Sequence, residues 1–274
     1  MSPRRRWFAL GLAAVLVLVV VAGSVVLRRQ GGPVEAVPQD RPGPVLLVPG
    51  YGGDTRSLRV LADALRDSGR QAEVVDLPGD GTGDLRAQAA ALRDAADAAL
   101  AGGAPSVDVV GYSAGGVVAR IWAADLGGAA VARRIVTLGS PHHGTSVAEL
   151  AVGLAPSACP LACRQLVPGS DLLDALPEAP PGPVWTSVWT AQDETVTPPQ
   201  SARLDGALDI LVQSVCPQAR IAHGQLPRDP LVVGLVRQAL GVSRLAAAPG
   251  PGQCAAVRAL GAATGAALLG GVRS

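Results

Sequence analysis

Val107-Asp108-Val109-Val110-Gly111-Tyr112-Ser113-Ala114-Gly115-Gly116 is a strand that runs straight into a helix. The β-branched run ends at Gly111, and helical spacing begins at Ala114. Between them, G-x-S-x-G puts a serine at the tip of a tight turn. A serine there takes a strained backbone conformation, and side chains at 111 or 115 would collide as the flanking turns close up. The turn lifts the Ser113 hydroxyl clear of the sheet. It also aims the first amides of the following helix at any carbonyl that the serine attacks. In a chain with 34 glycines the same five letters fit an ordinary strand–turn–helix joint. Three further features favour a nucleophile: the strand and helix context, a glycine-rich turn upstream, and an acid and a histidine downstream in suitable order.

Working outward, strands and helices alternate. Val45–Val48 reads as a buried strand, followed by the turn Pro49-Gly50-Tyr51-Gly52-Gly53. Thr55–Ser68 has a helical stripe through Leu58, Leu61, Ala62 and Leu65. Gln71–Leu77 is a second strand, and Pro78–Gly83 a glycine-rich loop. Asp84 is placed to cap an Ala-rich helix reaching Leu100. Ser106–Val110, Ala114–Leu126 and Arg134–Leu138 continue the alternation. The pattern predicts an α/β fold with a mostly parallel central sheet and helices on both faces. Gly139–Gly182 is expected to be irregular; its Gly144–Gly182 part reads either as a small cap or as a surface excursion. Val184–Thr190 and Ala207–Val215 are expected strands, and Pro230–Leu240 an expected helix. The Ala/Gly/Pro-rich tail from Ala246 receives no element, and Gly261–Ser274 reads as a closing helix or a frayed end.

Length and charge bound the function. A chain of 274 residues can bury a sizeable core. Charged residues make up 16% and the net charge is +1, so nothing indicates nucleic acid or another strongly charged partner. Arg4, Arg5 and Arg6 precede an uncharged apolar run, Trp7–Leu27, closed by Arg28-Arg29. About 21 apolar residues suit a membrane span better than a signal-peptide core. The basic start would hold the N-terminus inside and export the rest. Residues 1–29 therefore read as a signal peptide or N-terminal membrane anchor, 30–44 as a Gly/Pro-rich linker, and 45–274 as the catalytic domain. Four cysteines behind such a leader favour disulfides. Of three pairings, Cys159–Cys163 with Cys216–Cys254 ties two local loops. A metal site is the rival reading, weakened by the lack of C-x-x-C and by a total of three histidines.

Ser113 needs a base, because a serine hydroxyl is a weak nucleophile at neutral pH. His142, His143 and His223 are the only candidates. His223 follows the last expected strand, whereas His142 and His143 suit a structural role in the Ser140–Thr145 loop. The orienting acid should follow Val184–Thr190, where Asp193 lies, ahead of Glu194 and Asp209 as alternatives. The order Ser113, Asp193, His223 is nucleophile, acid, base.

These segments resemble the α/β-hydrolase superfamily, and within it the small secreted bacterial triacylglycerol lipases and esterases that lack a large lid. The resemblance runs from about Val45 to about Leu240. It is carried by Leu-Val-Pro-Gly-Tyr-Gly-Gly, Val-Gly-Tyr-Ser-Ala-Gly-Gly, Thr-Leu-Gly-Ser-Pro-His-His-Gly-Thr and the Asp193-to-Val196 Asp-x-x-Val pattern. It implies a catalytic Ser113–His223–Asp193 triad and an oxyanion hole from the Tyr51 and Ala114 amides. Many relatives carry His where Pro49 stands, which alters the packing of that turn but not its amides. The implied activity is hydrolysis of carboxylic esters, fatty-acyl esters or triacylglycerols foremost, through an acyl-enzyme on Ser113. The same chemistry serves a thioesterase, an amidase or a polyester depolymerase. A catalytically dead, membrane-tethered binding module is the non-enzyme alternative. The mechanism requires no cofactor and no metal. The expected partners are a small-molecule lipid or ester and, through the N-terminal segment, the membrane; protein partners stay open. Leu and Val side chains, such as those around Leu226 and Leu231, are the expected acyl contacts.

Overall fold

The computed structural model describes residues 37–263. The expected leader therefore lies outside the described residues, as do the first part of the linker and the end of the tail. Among the described residues no helix is long and apolar enough to cross a membrane.

Six strands form one parallel sheet: β1 (Val45–Val48), β2 (Ala72–Val74), β3 (Val107–Tyr112), β4 (Ala132–Leu138), β5 (Val184–Trp189) and β6 (Leu208–Leu211). Their spatial order is β2-β1-β3-β4-β5-β6, parallel throughout. Parallel neighbours require crossovers, and helices supply them: α1 (Arg56–Asp67), α2 (Leu85–Ala101) and α3 (Ala114–Asp125). Then come α4 (Ser146–Leu154), α5 (Leu161–Gln165), α6 (Asp171–Ala175), α7 (Val212–Val215), α8 (Pro230–Ala239) and α9 (Cys254–Ala262).

Both sheet faces are covered, so the strands are apolar on both sides. Along β1, Leu46 and Val48 join one core with α2 and α3, while Val45 and Leu47 join another with α1, α8 and α9. The Asp84 side chain accepts the Arg86 amide and caps α2, as its position predicts. The strand order reverses between β1 and β3, because the chain leaves β1 in one direction for β2 and then crosses to β3. The crevice beyond the strand ends at such a reversal is where open α/β sheets bind ligands. Here the turns after β1 and β3 meet there, carrying Tyr51 and Ser113.

The structure differs from the sequence expectation in four places, the first being the second strand, expected over Gln71–Leu77 and confined to Ala72–Val74. The stretch from 139 to 182 is not irregular: it holds α4, α5 and α6, whose Ala148, Ala162, Leu166, Leu172 and Leu173 join the core against α2 and α3. The last expected strand stops at Leu211, and Val212–Val215 turns helical. The tail contains α9, which packs on α8 with Gly234 against the Val257 carbonyl and Gly261 against that of Pro230. A methyl group at either glycine would collide with that carbonyl. The four cysteines form two disulfides, Cys159–Cys163 and Cys216–Cys254. The second ties the end of α7 to the start of α9. The last residues of the expected linker are fastened to the domain: Arg133 donates to the Gln39 carbonyl at 3.0 Å and Arg70 to the Gly43 carbonyl at 2.8 Å.

Candidate active site

Ser113 is the one non-glycine residue among the described residues with positive φ, at 54°. Such backbone costs on the order of 1–3 kcal/mol and persists only where its surroundings enforce it. The surroundings are glycine. A Cβ at Gly111 would lie 2.5 Å from the Gly116 Cα, and one at Gly115 would lie 2.2 Å from the Val48 carbonyl oxygen. Both predicted collisions are therefore present. Gly50 presses on the serine itself, since a Cβ there would lie 2.9 Å from the Ser113 Cβ.

Three side chains from three loops converge. His223 Nε2 lies 3.0 Å from Ser113 Oγ, and its Nδ1 lies 2.7 Å from Asp193 Oδ2. All three residues are buried. Asp193 follows β5, and its other oxygen accepts the amides of Thr195 (2.9 Å) and Val196 (2.7 Å). Two amides thus fix one oxygen and leave the second for the imidazole. Thr145 locks this loop from the cap side, donating to the Thr195 carbonyl at 2.7 Å and accepting the Thr197 amide at 3.1 Å. The tautomer consistent with this order protonates Nδ1 toward Asp193 and leaves Nε2 to accept from Ser113.

Two residues without an assigned role in the sequence support this arrangement. Gly139, just after β4, has φ of 54°, and a Cβ there would lie 3.0 Å from Asp193 Oδ2 and 3.2 Å from His223 Nδ1. It is the floor beneath the acid–base pair. Tyr112 packs its ring against the imidazole with centroids 5.2 Å apart, and its hydroxyl donates to the His223 carbonyl at 3.4 Å. Burial, reinforced by the carboxylates of Asp193, Glu194 and Asp54, pushes the Tyr112 phenol up to about 12, so it stays neutral.

The alternatives fall elsewhere. Glu194 accepts the His223 backbone amide at 3.4 Å rather than the ring. Asp209 accepts the Leu204 amide at 3.2 Å, and burial raises its pKa. His142 is buried with Nε2 3.1 Å from Thr137 Oγ1, and burial next to Arg120 holds its pKa well below the usual imidazole range. His143 bonds the Ser201 carbonyl and Glu178, at 3.2 and 3.1 Å. Buried Arg120, on α3, holds the His142, Leu176 and Pro177 carbonyls and so ties the cap to the elbow helix.

The amides of Tyr51 and Ala114 donate to no acceptor among the described residues. Both belong to turns that touch Ser113. The Pro78–Gly83 loop backs the first of them, since the Gly52 amide donates to the Gly81 carbonyl at 3.3 Å. In front of Ser113 is a cleft of about 160 Å³ lined by Tyr51, Pro141, Thr145, Val147, Ala148, Cys163, Leu166, Thr195 and Val196. Leu226 and Leu231, the expected acyl contacts, do not line it. They are fully buried in the opposite core beneath the site. The cleft wall comes instead from α4, α5 and the acid loop. Tyr51 and Val147 of that lining are exposed, and exposed Leu150 and Leu154 follow Val147 along α4 at helical spacing.

The six-stranded parallel sheet, with Ser113 on its elbow and the acid and histidine on the loops beyond, is the α/β-hydrolase fold, and a family model of that fold matches residues 43–157. Among solved structures, the chain is similar to the lipase BlEst2 of Bacillus licheniformis in its mature form. The TM-score is 0.59 at 19% identity, over 77% of this chain and 96% of that one. It is also similar to lipase B of Aspergillus fumigatus, with a TM-score of 0.57 at 17% identity over 83% of this chain. The chain spans 63% of that lipase's length and 54% of BlEst2 in its propeptide form. No curated protein matches the sequence. Likeness at this identity establishes the fold; the activity has to be argued from the site.

Proposed function

We propose that this protein is an exported serine hydrolase that cleaves carboxylic esters of fatty acids, triacylglycerols among them. The observation that carries the reading is the Ser113–His223–Asp193 hydrogen-bond chain, set on a strained turn beside an apolar cleft. Ser113 Oγ attacks the ester carbonyl carbon as His223 Nε2 takes its proton. Asp193 keeps the ring oriented and stabilises the imidazolium. The oxyanion is received by the amides of Ala114 and Tyr51, each such donor being worth about 3 kcal/mol in the transition state. The C–O bond breaks, and the alcohol departs with the proton from His223. Water, deprotonated by the same nitrogen, then attacks the acyl-serine and releases the acid and free Ser113. This sequence draws on no metal and no cofactor.

The exposed apolar residues of α4 that continue from the cleft lining support a lipid-like substrate, because exposed apolar surface beside a cleft marks a binding face. The cleft itself is smaller than the roughly 300–1,000 Å³ of a drug-sized pocket. It encloses the carbonyl end of a long acyl chain, and the remainder would lie along α4. Short-chain esters also fit, which keeps an esterase as the second reading. Two disulfides suit an oxidising compartment. With the basic and apolar leader in residues 1–29, they support a domain outside the cytoplasm, anchored by that segment or released after its cleavage.

A fluorophosphonate probe tests the chemistry. Wild type takes one label and Ser113→Ala none; equal labelling of the two overturns the assignment. An acyl-chain panel with the same control tests the substrate. Activity confined to soluble short-chain esters, with none on emulsified long-chain triacylglycerol, overturns the lipase reading and leaves the esterase.

A further inference from the structure

We propose that the alcohol half of the ester occupies a second groove beside the base, and that Arg228 makes this groove selective for an alcohol bearing negative charge. The inference rests on the ester-hydrolase reading and extends it to the leaving group.

The groove has a volume of about 590 Å³ and shares only Tyr51 with the acyl cleft. Its other walls include Tyr112 and Gly224, the chain neighbours of the nucleophile and the base. The acyl cleft instead holds Thr195 and Val196, whose amides bind the acid. Chemistry assigns the two halves. The departing oxygen collects its proton from His223, so the alcohol lies on the side of the base. The acyl chain then takes the apolar cleft under α4.

The two spaces differ in character. The cleft wall is almost wholly apolar, whereas the groove presents Ser57, Tyr112, Asp54, Arg56 and Arg228. Arg56 is neutralised by Asp54 at 3.0 Å. Arg228 has no carboxylate within 4.0 Å among the described residues, so its guanidinium is not tied up in an ion pair there. Glu194, the carboxylate on the His223 amide, does not line the groove, although with Asp193 and Asp54 it acts on the Tyr112 hydroxyl against Arg228, so Arg228 has to work by direct contact. A diacylglycerol leaving group would set apolar surface against these groups. A phosphate or carboxylate on a short alcohol would meet a guanidinium and two hydroxyls.

Three esters with the same short acyl chain and the same kind of primary alcohol test this: butanoylglycerol, butanoylglycerol phosphate and butanoylcholine. The readout is the ratio of kcat/KM values, with enzyme concentration taken from fluorophosphonate titration so that misfolded protein drops out. At low ionic strength wild type should favour the phosphate over the neutral ester by about five-fold, the effect of one exposed charge at close range. The ratio should fall to about one in Arg228→Ala and invert toward choline in Arg228→Glu. It should also fall toward one in wild type at about 0.5 M salt. Equal wild-type rates on the three esters, or a preference that survives Arg228→Ala, overturn the inference and leave the hydrolase intact. A wild type that hydrolyses none of them and takes no label overturns both.

Discussion

Asp193 and Glu194 are adjacent carboxylates after the same strand, yet one methylene of side-chain length separates their roles. The Asp193 side chain is short enough to fold back onto the amides of Thr195 and Val196, which holds Oδ1 and leaves Oδ2 for the imidazole. Glu194 reaches the His223 backbone instead. The Asp-x-x-Val spacing carries this distinction in the sequence, because the Asx-type turn needs the amides two and three residues on. Asp193→Asn should therefore lower kcat on a soluble ester by about 10⁴-fold through the wrong histidine tautomer. Glu194→Gln should stay within a few-fold of wild type, and comparable losses in the two variants would refute the assignment. Gly139 and Tyr112 show what local pattern does not carry. Nothing in their neighbours along the chain says that one will sit under the acid–base pair and the other against the imidazole ring.

Among the elements, the cap segment was the least legible. Helix α4 buries only Ala148, so it has no core stripe for a periodicity argument to find. What holds it is the Thr145 cap, which accepts the Val147 amide at 3.3 Å, and packing on α5. The Cys159–Cys163 bridge closes the loop between α4 and α5, and Cys163 itself faces the cleft. Leu150 and Leu154 stand out from α4, 61% and 77% exposed. Leu150→Asp with Leu154→Asp should cost little stability, because neither side chain is buried. Hydrolysis of emulsified triacylglycerol should fall at least ten-fold while that of a soluble short-chain ester stays near wild type. An equal fall on both substrates would show that α4 serves the cleft and not an apolar interface. Helix α9 was hidden for another reason. An Ala/Gly-rich helix has a weak apolar signature, and its stability comes from the close approach that Gly234 and Gly261 permit.

Across the fold as a whole, the sheet is anchored at the starting ends of its central strands, away from the site, by a buried charge cluster. Asp108, fully buried at the start of β3, accepts from Arg133 at 3.0 Å and from Arg70 at 2.6 Å. Arg133 also donates to the Leu240 carbonyl at 2.7 Å and the Gly241 carbonyl at 3.1 Å. Segment 39–43, the central strands and the end of α8 are thereby joined. Breaking a buried pair strands the remaining charge, so Asp108→Asn should lower unfolding free energy by about 3–5 kcal/mol in urea. The folded fraction should keep its kcat, because Ser113 lies past the other end of β3. A loss of less than about 1 kcal/mol would show that the cluster is replaceable. Stability should also depend on pH through His142. Its imidazole is held neutral by burial, so below its unfolded value of about 6.5 the unfolded chain binds the proton that the native one refuses. Stability gained above that pH is lost as pH falls, by up to about 1.4 kcal/mol per unit. Urea titrations from pH 7 to 5 should show this slope, and His142→Gln should flatten it; an unchanged slope would assign it to other groups.

Alternating apolar strands, helical stripes and the glycines around Ser113 determined the parallel α/β architecture and the chain order of the Ser113, Asp193 and His223 loops. Those are properties of short range: pleat period, helix period and a turn too tight for a side chain. Which residues wall the cleft and which groove holds Arg228 were decided by the tertiary structure alone. Each depends on loops far apart in the chain meeting at the end of the sheet, and Leu226 illustrates the point. By sequence it neighbours His223 and was expected in the cleft; in the fold it lies in the opposite core, and Leu166, from a segment with no predicted element, takes that place. The Val107–Gly116 stretch thus fixes where the serine stands, and the packing of the sheet's far loops fixes what stands around it.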